Sequence, residues 1–333
     1  MMCSDPISLT LHTHGTMPTE WYKVVVQVRG QKEHERMKID TKWILETVGQ
    51  WASGVGQSGA AGRVYVFGSL INQDGDAFNA QESDVDILCL FRDEDATAAK
   101  SRYEACRLLR SMVPKLELNL LLAIKRYDAK KPISSINLLS PWEATKCVHK
   151  DGVRKLFYMK QFRSVHPVGD SMEQLATFID DEFHASYESI VMLFRYLQTL
   201  RNQFLKANLH GEDFFSVSTG SDPVPKTVMR LAAACAAFER DPSGRPDDLE
   251  SIDPLEGIEW LTVLLNECRR SGDEDINKLR RWMAAARRAR ASDAPMSRDQ
   301  LLLLAELLYD RARIPVRWTA VDKMDAAIAR SGG

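Results

Sequence analysis

The chain has 333 residues, 44 Lys and Arg against 46 Asp and Glu, a formal net charge of −2 and a hydrophobic share of 44%. That share is ample for a core, and the balanced charge gives no electrostatic ground for a nucleic-acid or membrane-surface partner. No apolar run reaches the ~20 residues of a bilayer-spanning helix, and the six scattered cysteines include no Cys-x-x-Cys pair. A disulfide framework and a zinc site are therefore not expected, and a reducing, cytoplasmic setting is.

Residues 1–35 read as an N-terminal extension. Met1 to Thr10 has neither a basic start nor an apolar run, so it does not resemble a signal peptide. Trp21–Val28 has the composition of a strand. Asp40 is suited to cap a helix running to about Trp51, with Trp43, Ile44 and Val48 on one stripe. The glycine-rich stretch from Ser53 to Gly62 reads as a loop. It precedes a strand, whereas a dinucleotide-binding glycine motif follows one and opens a helix.

The strand at Val64–Phe67 ends in Gly68-Ser69, and a long loop through Gln81 carries Asp74, Asp76 and Phe78. A second strand opens at Ser83-Asp-Val-Asp-Ile87 and runs to Phe91. Strand side chains alternate, so Asp84 and Asp86 share one face while Val85 and Ile87 take the other. Two hard oxygen donors on one rigid segment suit Mg²⁺, which binds one or two carboxylates together with substrate phosphates. A helix is expected from about Asp95 to Met112, with Pro114 as punctuation. Lys115–Ala123 then reads as a third strand, with Leu116, Leu118 and Leu120 opposite Glu117 and Asn119. Another helix begins near Ser140-Pro-Trp-Glu143.

Beyond Asp170 the pattern is helical. Helices are expected over 171–207, 225–239, 255–269, 274–290 and 298–312, two of them opened by the capping boxes Ser171–Gln174 and Ser297–Gln300. The fold class that follows is α/β + all-α: a small mixed-sheet core over 36–165 and a helical bundle over 166–333.

Phe67-Gly-Ser69 and Asp84-Val-Asp86 resemble the signature of the DNA polymerase β-like nucleotidyltransferase superfamily, over roughly residues 36–165. The resemblance implies a Mg²⁺-dependent enzyme, using two ions or Mn²⁺ in their place. It would move a nucleoside monophosphate from an NTP, foremost ATP, to a hydroxyl and release pyrophosphate. Asp84 and Asp86 would be the metal ligands and catalytic acids, and Gly68 and Ser69 would hold the nucleotide phosphates. Glu117 would be the third carboxylate, a departure, since that family more often has Asp there. The loop between Ser69 and Asp84 is also slightly long for the family.

Lys226 and Arg230 share a helix face. By the same resemblance they would hold the triphosphate from the helical side, with Lys146 and Lys150 as weaker candidates. Arg280–Arg290 reads as a solvated basic face or a partner surface. The gap from Arg201 to His210 is too wide for the Arg-x₄₋₆-His ribonuclease motif of HEPN domains. The acceptor stays open among a nucleotide, an RNA or DNA end, a protein and a small molecule, with an antiphage signalling nucleotide among the products considered. The alternative reading is a non-catalytic nucleotide-binding or antitoxin-type interaction protein on the same fold.

Overall fold

The structure, a computed structural model, describes residues 41–126, 131–145, 161–168, 188–212, 226–240, 254–267, 274–289 and 297–311. The strand expected at Trp21–Val28, the capping box at Ser171 and Lys146 and Lys150 lie outside the described residues.

Helix α1 spans Thr41–Ser58. It buries Ile44, Thr47, Val48, Trp51, Ala52 and Val55, a continuous stripe at helical spacing. The expected loop at residues 53–62 is thus mostly helix. Gly56 is tolerated because its bare α-carbon admits the imidazole of His166, which a Cβ would strike. The helix stops at Gly59, whose φ of +77° suits glycine. There the Gly59 N–H donates to Gly56 O and the Ala60 N–H to Val55 O, both at 3.1 Å.

Strand β1 is Arg63–Phe67, β2 is Val85–Leu90, β3 is Ser134–Leu139 and β4 is Arg163–His166. They form a mixed sheet in the order β3-β2-β1-β4, with β1 antiparallel to both β2 and β4 and β2 parallel to β3. One face carries Tyr65, Phe67, Leu88, Leu90 and Leu139, clustered with Ala144 and Phe162. Val64, Val66, Ile87, Cys89, Ile136 and Leu138 alternate with these and are also buried.

Helix α2 is Ala99–Ile124 and continues past Pro114. The strand expected at Lys115–Ala123 does not exist; the third strand is Ser134–Leu139. Leu116, Glu117, Leu120, Leu121 and Ile124 are buried at three- and four-residue intervals, a helical stripe that the leucine alternation conceals. In the turn holding Pro114, the Met112 carbonyl accepts from the Trp51 indole at 3.1 Å.

Helix α3 is Pro141–Thr145. Ser140 caps it with a reciprocal box: the Glu143 N–H donates to Ser140 Oγ (3.1 Å) and the Ser140 N–H to Glu143 Oε2 (2.6 Å). Helices α4 (Glu188–Leu205), α5 (Lys226–Arg240), α6 (Pro254–Glu267) and α7 (Glu274–Ala289) follow. Helix α8 covers 298–311. The expected box at its start is present, with the Gln300 N–H donating to Ser297 Oγ (3.2 Å) and the Ser297 N–H to Gln300 Oε1 (2.9 Å). Helix α6 meets α5 at Gly257, where a Cβ would run into the Met229 carbonyl.

The outer edge of β3 is closed by side chains. Its Leu138 N–H donates to Asn202 Oδ1 (3.2 Å), and its Leu138 carbonyl accepts from Arg201 (2.9 Å), both from α4. Arg201 is 0% exposed and reaches Glu306 (2.8 Å) and Glu143 (3.1 Å). Arg102, also 0% exposed, reaches the same Glu306 at 2.6 Å and lies 4.4 Å from the Tyr309 ring. Burial alone would raise the Glu306 carboxyl, but the two guanidiniums outweigh it and hold its pKa below the ordinary value.

Candidate active site

The antiparallel register sets Phe67 opposite Asp86. The next residue of β1, Gly68, therefore emerges beside the start of β2. Gly68 has φ +76°, and its α-carbon faces the Asp86 carboxylate so closely that a Cβ would overlap Oδ2. Both constraints select glycine. Gly68–Leu70 then forms a 3₁₀ turn, closed by the Ile71 N–H donating to Gly68 O at 3.1 Å. Ser69 is half-buried in that turn.

Asp84 is exposed just before β2, and Asp86 is half-buried within it. The loop leading to them is compact rather than extended. Asn72–Gly75 is a second 3₁₀ turn in which Gln73 and Asp74 adopt left-handed backbone, at φ 53° and 55°. Ser83 folds back so that its N–H donates to Asn79 O at 2.7 Å and its hydroxyl accepts from the Asn79 N–H at 3.0 Å. The turn delivering Asp84 is therefore pinned by its own hydrogen bonds.

Arg126 was not singled out from the sequence. At the end of α2, Lys125 turns left-handed at φ 57° and the Arg126 N–H donates to Leu121 O at 3.3 Å. The Arg126 side chain, half-buried, then donates to the Ser83 carbonyl at 3.4 Å. A fixed cation thus stands beside the residue preceding Asp84. Sequence alone offered no signal for it, because Arg126 follows a stretch that reads as a strand.

Glu117 does not join the aspartates. It lies on α2, 2% exposed, where its carboxylate accepts from the N–H groups of Ile133 (2.6 Å) and Ser134 (2.8 Å) and from the Ser134 hydroxyl (2.5 Å). Burial raises its pKa above the ordinary value, against the lowering effect of those donors and of Arg126. Its geometry is that of an anchor for the start of β3. Among the described residues, no group of three or more His, Cys, Asp or Glu side chains could share a metal.

Lys226 opens α5, and Arg230 follows one turn later, half-buried, with its Nε enclosed and lacking a hydrogen-bond partner among the described residues. Helix α5 packs along α6, so these two residues are placed by a helix pair. Of the arginine run, Arg280 donates to Asn277 at 3.2 Å and Arg281 is exposed.

Residues 47–313 match NTase-conflict, the Pol beta superfamily nucleotidyltransferases in conflict systems. The chain belongs to the NTase-conflict family. It is therefore an enzyme, a nucleotidyltransferase that draws on an NTP, and the match covers the sheet and the helices after it alike. No curated protein and no solved structure matches the chain. The mixed sheet with its helical region agrees with the expected fold class, and the Gly-Ser and Asp-x-Asp segments lie within the NTase-conflict match. Among the described residues, no helix is long and apolar enough to cross a membrane.

Proposed function

We propose that this NTase-conflict enzyme transfers a nucleoside monophosphate, AMP from ATP foremost, to a hydroxyl acceptor in a Mg²⁺-dependent reaction. The observation that carries the reading is the packing of Gly68 against Asp86, which brings the Gly-Ser turn and the Asp-x-Asp segment to one place.

The donor set suits Mg²⁺: two carboxylate side chains two residues apart, Asp84 exposed just before β2 and Asp86 half-buried within it. The bare Gly68 α-carbon leaves no side chain between the turn and the Asp86 carboxylate. Asp84 and Asp86 would hold the metal. When bound, it supplies positive charge that draws the α-phosphate open to attack and neutralises pyrophosphate as it departs.

The remaining work falls to the chain itself. The Gly68–Leu70 turn offers the Ser69 hydroxyl and backbone N–H groups to the β- and γ-phosphates. Arg126, fixed on Ser83, adds a cation next to Asp84. The acceptor oxygen forms a bond to the α-phosphorus, the α–β anhydride bond breaks, the acceptor proton passes to solvent, and pyrophosphate leaves. Residues 166–333, with Lys226 and Arg230, would shape the acceptor side and grip the triphosphate. Membership in a conflict-system family supports a role in defence, with a nucleotide, an RNA end or a protein as acceptor.

The test is incubation of the full chain with Mg²⁺ and the four NTPs, alone and with RNA and protein pools. Products are identified by mass spectrometry and pyrophosphate is counted. Mg²⁺-dependent pyrophosphate release that vanishes in Asp84→Asn is expected. Its absence with every donor and pool overturns the reading.

A further inference from the structure

Strands β2 and β3 run parallel with Asp86 opposite Ser135. Register partners on adjacent strands project from the same face, a few ångströms apart. On the β1 side the partner of Asp86 is Phe67. Asp86 therefore stands in a row between a buried aromatic ring and a half-buried serine.

The other polar side chains of β3 are engaged elsewhere. Ser134 gives its hydroxyl to Glu117 at 2.5 Å. Asn137, 3% exposed, accepts from the Asn202 amide at 2.9 Å. Glu117 itself is held at the start of β3 by three donors.

We propose that Ser135 is the third protein group of the metal site, which thus combines two carboxylates with a neutral hydroxyl. The proposal deepens the Mg²⁺-dependent reading and rests on it. A site with only two negative charges leaves the nucleotide phosphates to supply the rest of the anionic shell, so metal is gripped with the nucleotide and weakly without it. A serine hydroxyl also cannot take the acceptor proton at neutral pH as a third carboxylate would.

Calorimetric titration of the full chain with Mn²⁺ or Cd²⁺, without nucleotide, tests this. In Ser135→Asp the Mn²⁺ dissociation constant is expected to fall at least tenfold. Adding Ser135→Asp to Asp86→Asn is expected to restore Mn²⁺ binding that the single change removes. Ser135→Cys, nearly isosteric and thus safe for folding, is expected to gain at least tenfold in Cd²⁺ affinity over the natural chain, because a thiolate favours soft ions. Either gain in a protein with natural circular dichroism supports the proposal. Unchanged Mn²⁺ binding in folded Ser135→Asp, together with unchanged Cd²⁺ binding in Ser135→Cys, overturns it. If the natural chain binds Mn²⁺-ATP no better than Asp86→Asn does, the Mg²⁺-dependent reading falls instead. The cadmium titration still reports whether position 135 adjoins Asp86.

Discussion

The α-carbon of Gly68 lies against the carboxylate of Asp86, with no room for a Cβ between them. The β1 turn and the β2 acid are thus one unit. Replacing Gly68 with Ala imposes left-handed backbone on an L-residue, at a cost of roughly 1–2 kcal/mol. It also pushes the Asp86 side chain out of place. Pyrophosphate release is expected to fall by about 100-fold or more, the scale of misplacement by a single ångström. Thermal denaturation should show a folded protein. Near-natural turnover in Gly68→Ala would separate the turn from the chemistry.

Asp84→Asn and Asp86→Asn keep size and shape while removing one charge each. Asp84 is exposed and Asp86 half-buried, so neither change should shift the denaturation midpoint much. Each is expected to abolish Mg²⁺-dependent transfer to within background, read as labelled pyrophosphate. Retained transfer in either variant would remove that residue from the site.

Glu117→Gln turns one acceptor oxygen into an amide that faces the Ile133 and Ser134 donors. A loss of about 1–3 kcal/mol in stability is expected, the cost of leaving buried donors unpaired. The Mg²⁺ concentration giving half-maximal rate should stay where it was. A large rise in that concentration at unchanged stability would return Glu117 to the metal site.

Glu306 provides the pH signature. Its folded-state pKa lies below the ordinary 4.5 because of Arg201 and Arg102, so the folded chain binds fewer protons than the unfolded chain in that range. The stabilisation is present above the ordinary carboxylate value and is lost as pH falls through the folded-state value. Urea titrations at pH 7 and at successively lower pH should show this decline. Glu306→Gln should lower stability at pH 7 by about 3–5 kcal/mol, since it leaves two buried guanidiniums short of a partner. It should also flatten the acid limb.

Gly257→Ala sets a methyl group against the Met229 carbonyl and forces α5 and α6 apart. A stability loss on the order of 1–3 kcal/mol is expected by denaturant titration. A neutral result would mean that the two helices cross less closely.

The elements whose signals are local were legible in the sequence. The Ser297 box opens α8 as its spacing required, and β1, the Gly-Ser turn and β2 stand where alternation put them. Signals that conflict locally misled. Pro114 and the Leu116–Leu118–Leu120 alternation spoke for a break and a strand, yet long-range burial of Val113, Leu116 and Leu120 keeps one helix there. On that helix Glu117 accepts from Ile133 and Ser134 at the start of β3, whose Ile133–Leu139 run sits between Pro132 and Ser140-Pro141. Ser135 and Arg126 could not be found from their own neighbours, because only strand register and the end of α2 bring them to Asp86 and Ser83.

Glu306 joins Arg102 across 204 residues of chain. At translation rates of about 5–20 residues per second, the carboxylate arrives roughly 10–40 s after the first arginine. Until then Arg102 lacks both of its carboxylates, Glu306 and Asp310, and Arg201 has Glu143 alone, so the buried ion network around the two guanidiniums is incomplete. The nascent enzyme therefore completes its buried ion network, though not the α4 bonds that hold β3, only once the last described helix has been made.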